Sequence, residues 1–176
     1  MSTDVHAHLL LPALHAEVER RVPELVAEAA ALELRRNGRA SLAASGAMIG
    51  ARIPKLTDVR ARLAAMDEQG IDRQWVSVSP NHFYPWAPEG LAVWVAMETN
   101  RLIAEHVSQA PDRLVGLGVV PLQHPSRIVE YLDDAVLGRG VGQQRVDMVG
   151  RGDAGRAVHD QRRADPRLVE QHLGLQ

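Results

Sequence analysis

Short apolar runs and helix-length periodic segments alternate along this chain, and that alternation limits its folds more than any other feature. The runs "RQWVSVSP" and "DRLVGLGVVPLQ" read as strands, the first buried and ended by Pro80. Between them, Leu91 to Gln109 spaces its apolar residues with a helical period. Upstream, "TDVRARLAAMDEQG" reads as a helix that Thr57 can cap and Gly70 closes, with Val59, Leu63 and Met66 as its apolar stripe. "TDVHAH" is a further short strand running into a loop. Strands separated by helices of this length form βαβ units, so the expected class is α/β with a parallel sheet.

The rest of the chain is less regular. "LLLPALHAEVERRVPELVAEAAALELRRNG" is helical, with Pro12 in a first turn, Leu14, Val18, Leu25, Ala29 and Leu32 on one side, and Gly38 at the end. Pro23 lies inside that run and predicts two helices or one kinked helix. From Asn37 to Leu56 the chain is rich in Gly, Ala and Ser without a clear period, which reads as an excursion or lid-like loop. "SRIVEYLDDAVLG" is a third clear helix, with Ile128, Leu132 and Val136 on one face. The pattern stops near Gly138. Residues 139–176 contain no aromatic side chain and no apolar run fit for a next core strand. Their composition predicts a disordered tail with a weak helix around Arg167 to Leu173, so the chain divides into 1–138 and 139–176.

Composition narrows the chemistry. A chain of 176 residues fits one domain, whereas a full eight-fold β/α barrel needs about 250. The net charge of −2 gives no global attraction to nucleic acid or to an anionic membrane. No apolar run approaches the roughly 20 residues of a membrane span, and Asp4 and His6 stand where a signal peptide would be basic. A soluble, cytoplasmic protein is the expectation. There is no cysteine, so any metal must be held by histidine and carboxylate. Serine-nucleophile, phosphate-loop and nucleic-acid signatures are absent.

The stretch "DVHAHLLLP" carries the sharpest chemical signal. On a strand, His6 and His8 project to one face while Ala7 points away, and two imidazoles there can give two nitrogen ligands to Zn²⁺ or a similar ion. Asp4 shares their parity and can fix a histidine tautomer. The plainer alternative is a set of polar residues at a strand end. The loop "SPNHFYPWAPE" follows the next strand, where His82, Phe83, Tyr84 and Trp86 can line a substrate pocket or plug a barrel mouth. Arg52 and Lys55 can meet an anionic substrate, although each alone fits a solvated surface position. His15, His106 and His124 fit surface positions, and His159 and His172 fall in the irregular tail.

In order and spacing, "DVHAHLLLP", "DVRARLAAMDEQGIDRQWVSVSP", "FYPWAPE", "TNRLIAEHVSQAPDRLVGLGVVPLQHP" and the helix that follows resemble the amidohydrolase-related family (amidohydrolase 2), of the aminocarboxymuconate-semialdehyde decarboxylase type. The resemblance covers the chain to about Gly138. It implies a metal-dependent (β/α)8 TIM barrel, present here as about three to four β/α units, that decarboxylates or hydrolyses a small carboxylic acid. His6 and His8 match the family's first two metal ligands, which implies zinc, or else manganese. Such an ion acts as a Lewis acid and lowers the pKa of bound water. The family's later histidines and aspartate have no counterpart in the residues that follow. Two expectations therefore stand together: a working decarboxylase or hydrolase, and a catalytically inactive fragment lacking the remaining ligands. The abrupt loss of resemblance predicts that 139–176 is a frameshifted reading, and unpaired strand edges predict a homo-oligomer or a completing partner chain.

Overall fold

Three parallel strands, β1 (Thr3–Leu9), β2 (Arg73–Val78) and β3 (Leu114–Gly116), form one sheet in chain order. The computed structural model describes residues 1–129 and 131–132 of the chain. Parallel neighbours require long crossovers, and helices supply them. Helices α1 (Pro12–Arg21), α2 (Pro23–Gly50), α3 (Ile53–Thr57) and α4 (Val59–Glu68) lie between β1 and β2, and α5 (Glu89–Ser108) lies between β2 and β3. These are βαβ units around a parallel sheet, as the alternation predicts.

One face of the sheet is covered and one is open. Leu9, Val76, Val78 and Leu114 pack against Val59 and Met66 of α4 and Ile103 and Val107 of α5. Full burial of each such side chain stabilises by roughly 1.5–3 kcal/mol. On the opposite face Val5 is 61% exposed and Trp75 is 42% exposed, so β2 is buried on one side and not on both. A second cluster joins α1 to α5 through the intervening loop, with Val18, Tyr84, Ala87, Leu91 and Val95. At Gly116 a Cβ would lie 2.7 Å from Ile103 Cγ2, so the missing side chain lets α5 approach β3 closely.

The register of β1 contains an irregularity with consequences for the site. Asp4 pairs with Gln74 and Ala7 with Val76, so three steps on β1 oppose two on β2. This is a one-residue bulge.

Several expectations need correction. The segment from Asn37 to Leu56 is helical and not a loop, since α2 runs to Gly50 and α3 follows. No residue of α2 is buried, and although Val26 near its start packs on the second cluster, the part beyond Gly38 has no apolar stripe for periodicity to reveal. Gly38, with φ of 76° and ψ of 155°, ends the helical run that begins at Pro23, as expected, and a second run continues across this kink to Gly50. Asp58 caps α4 by accepting from the Ala61 N–H at 2.8 Å, while Thr57 ends α3 and bonds the Ile53 carbonyl. The third strand is only three residues long. Gly70, with φ of 67°, does close the turn after α4. After a short turn at Pro125–Arg127, residues 128–129 and 131–132 are helical. Val136, His159, His172 and the whole 139–176 segment lie outside the described residues. No described helix is long and apolar enough to cross a membrane.

Candidate metal centre

His6 and His8 stand together on the open face of the sheet, with ring centroids 4.8 Å apart and planes at 77°. The face follows from β2, where His8 pairs with Ser77, a residue that alternates with buried Val76 and Val78. His8 Nδ1 lies 3.3 Å from Ser77 Oγ, and that hydroxyl is 3.4 Å from the Ala7 carbonyl. With its hydrogen directed at Ala7, the hydroxyl oxygen accepts from His8 Nδ1–H. In that arrangement the Nε2 lone pair of His8 is the one that can face a metal.

Two imidazole nitrogens suit a borderline divalent ion, but catalytic zinc sites use about three protein ligands. Among the described residues no group of three metal-binding side chains forms. Neither Asp4 nor His82 therefore joins the histidine pair as a third ligand.

Asp4 acts from the other side of the strand. The bulge shifts its phase relative to His8, and its carboxylate meets the backbone instead of a ring. Asp4 Oδ1 accepts from the His6 N–H at 3.0 Å, and Oδ2 accepts from Gln74 Nε2 at 2.9 Å. Gln74 is buried beside Val76 and receives Arg62 Nη1 at 2.7 Å. Arg62, only 4% exposed, also donates through Nη2 to the His8 carbonyl at 2.7 Å and through Nε to His106 Nε2 at 3.2 Å. Burial lowers the Arg62 pKa from its ordinary value, and the Asp4 charge opposes that shift. Burial, then the Arg62 charge, pushes His106 down to about 4, so it is the neutral acceptor this bond requires. His106 is thus a buried residue, contrary to the surface position expected for it.

The aromatic loop is built around a second relay. His82 Nε2 accepts from the Leu11 N–H at 3.0 Å, so its hydrogen sits on Nδ1 and faces Tyr84 Oη at 3.3 Å. Tyr84 Oη can then donate to His15 Nδ1 at 2.9 Å. Burial lowers His82 to about 4 and raises Tyr84 to about 12, which keeps both neutral. Tyr84 adopts φ of 44°, an unfavourable conformation for an aromatic residue, and its buried ring and two bonds hold it there.

The remaining pocket candidates do not converge. Phe83 is 43% exposed, and Arg52 is exposed with Nη1 donating to the Met48 carbonyl at 3.2 Å. Trp86 packs edge-on against Tyr84 and lines an open cavity of about 380 Å³ with Leu25, Glu28, Leu32 and Arg35 of α2. A second cavity, of about 740 Å³ near Met1 and Arg113, lies at the other end of the strands. Neither cavity is lined by His6 or His8. Sequence reasoning missed Ser77, Gln74 and Arg62. Arg62 left a signal, a charge set at helical spacing within the stripe of Val59 and Met66.

A parallel β/α sheet with paired imidazoles toward the C-terminal end of its first strand has the layout of a β/α-barrel catalytic face. The chain belongs to the amidohydrolase family, whose model matches residues 3–173, a span that runs past Gly138. It is 29% identical over 128 residues to the 2-amino-3-carboxymuconate-6-semialdehyde decarboxylase of Caenorhabditis elegans, covering 72% of this chain and 31% of that protein. It is 32% identical over 82 residues to the gamma-resorcylate decarboxylase of Rhodococcus jostii, covering 47% of this chain and 24% of that one. The chain thus spans about a third or less of the curated relatives it matches. A 2,6-dihydroxybenzoate decarboxylase from Rhizobium superposes with a TM-score of 0.53 at 21% identity, over 77% of this chain and 35% of that one. The 5-carboxyvanillate decarboxylase of Novosphingobium aromaticivorans, solved with manganese and 4-hydroxy-3-methoxy-5-nitrobenzoic acid, gives 0.54 at 19%, over 77% and 38%. At these identities the solved structures share the fold.

Proposed function

We propose that this chain contributes His6 and His8 to a divalent metal centre that serves decarboxylation of a small carboxylic acid. The observation that carries the reading is the imidazole pair, 4.8 Å apart on the open sheet face, with Ser77 Oγ 3.3 Å from His8 Nδ1. The names of the curated relatives support carbon–carbon lyase chemistry over hydrolysis. Zinc suits the nitrogen donors, and the manganese in the Novosphingobium enzyme supports manganese as the alternative. When bound, such an ion supplies Lewis-acid polarisation. The chain's own residues orient the ligands: Ser77 sets the His8 tautomer, and Asp4 and Arg62 hold the backbone of β1. Arg52 is assigned to the substrate carboxylate, because the Leu10 N–H to Leu56 carbonyl bond at 2.9 Å keeps α3 beside the exit of β1. Among the described residues β1 and β3 are edge strands, which favours self-association, and a cytoplasmic setting belongs to the same reading.

A second reading, an inactive fragment of such an enzyme, is favoured by the lack of a third ligand among the described residues. It carries with it the proposal that residues 139–176 are a frameshifted tail, which sequencing the coding region tests. To separate the two readings, the purified chain is loaded with Zn²⁺ or Mn²⁺, its metal counted, and CO₂ release from 2,6-dihydroxybenzoate followed. One retained ion per chain, lost in His6→Ala, together with CO₂ release, supports the enzyme. Failure to retain an ion, with no CO₂ release, supports the fragment, and metal content unchanged by His6→Ala overturns the site.

A further inference from the structure

We infer that Asp4 and Arg62 are positioning residues for the paired imidazoles, acting through the peptide groups of β1 and not through the rings. The inference takes its consequence from the reading of His6 and His8 as metal ligands, and its geometry from the bonding of β1 alone. A bulge removes a residue from the strand ladder, so the backbone there needs other partners to hold one conformation. At this bulge both partners come from the helix-covered side. Asp4 Oδ1 takes the His6 N–H at 3.0 Å, and Arg62 Nη2 gives to the His8 carbonyl at 2.7 Å. These bonds bracket the residues whose backbone direction aims the two rings.

Gln74 joins the two supports into one unit. Its Oε1 accepts from Arg62 and its Nε2 donates to Asp4, so the amide can take only one orientation. The guanidinium uses three donors in three directions, to His8, Gln74 and His106, which a lysine ammonium on a single stem cannot reproduce. Packing α4 on the sheet requires no charge, since an apolar side chain of similar volume would fill the space. A buried cation that reaches a ligand strand's carbonyl instead points to control of backbone placement.

The test compares the full chain with Asp4→Ala, Asp4→Asn and Arg62→Lys, using amide hydrogen exchange by NMR and Zn²⁺ titration by calorimetry. Asp4→Ala is expected to speed exchange at the His6 amide and to weaken Zn²⁺ binding by about tenfold or more. Asp4→Asn keeps one acceptor oxygen and falls between. Arg62→Lys weakens binding similarly, and if it fails to fold, the Asp4 variants decide alone. A merely structural role would lower the melting temperature and leave the Zn²⁺ affinity and Co²⁺ absorption spectrum of the folded protein unchanged. Where His6→Ala abolishes binding, an unchanged affinity in folded Asp4→Ala overturns the inference. Where His6→Ala leaves binding intact, the metal reading fails, and the positioning role stands or falls on His6 amide exchange.

Discussion

Arg62 donates through Nε to His106 Nε2 at 3.2 Å, across the buried contact between α4 and α5. Each residue sets a condition on the other: the guanidinium needs an unprotonated nitrogen, and the imidazole is kept unprotonated by burial and by that same charge.

Stability should therefore fall on mild acidification. His106 and His82 are both held down to about 4, below the ordinary value near 6.5 of the unfolded chain. The unfolded state takes up protons first, so the stabilisation is complete above about pH 6.5 and is lost as the pH falls toward 4. Each histidine contributes a slope of up to about 1.4 kcal/mol per pH unit in that window. Urea unfolding at pH 7 and pH 4.5 should show the loss, and His106→Gln should reduce it by about half. A midpoint that is flat or rises between these pH values contradicts the assignment.

Gly116→Ala should destabilise by about 1–3 kcal/mol, because the new Cβ meets Ile103 Cγ2 at 2.7 Å. Ile103→Ala removes that atom at its own packing cost. In the double variant the two losses should be less than additive, and strict additivity in a double-mutant cycle would show that the close approach is not the cause.

The chain that leaves β3 is fastened by Asn100. Its Oδ1 accepts from the Val119 N–H at 2.7 Å, and its Nδ2 donates to the Val119 carbonyl at 2.9 Å. Asn100→Ala should cost about 1–3 kcal/mol in chemical denaturation. Asn100→Asp keeps the first bond and turns the second into a repulsion, so it should recover little of that loss.

Tyr84→Phe should cost about 1–2 kcal/mol, since it deprives the buried His82 Nδ1–H of its acceptor. His15→Ala should cost less, because His15 is exposed and water replaces it. Equal losses from the two variants would place the strength of the relay at His15.

The alternation of apolar runs and periodic segments was enough to read the strands, their parallel order and the helices on the covered face, because burial writes its period into those residues. The part of α2 beyond Gly38 could not be read this way, since none of its residues is buried and no apolar period marks it. The misplacement of His106 was avoidable, because Thr99, Ile103 and His106 are buried at helical spacing along α5. The partners of the histidine pair were harder. Ser77 becomes relevant only through the β1–β2 register, and Asp4 changes sides through a bulge that no alternation rule contains.

That bulge gives β1 a two-channel character. Residues 4, 6 and 8 share a parity, yet one single-residue slip sends the rings of His6 and His8 outward and the carboxylate of Asp4 inward. The buried carboxylate and the outward-facing imidazoles are thus encoded in alternate positions of one heptapeptide without competing for the same space. At Val5 a substitution changes an exposed side chain, whereas a deletion would remove the extra residue and set Asp4, His6 and Ala7 against Gln74, Trp75 and Val76 in an unbroken ladder. In this strand, spacing decides which side each residue faces as much as the identity of the residue does.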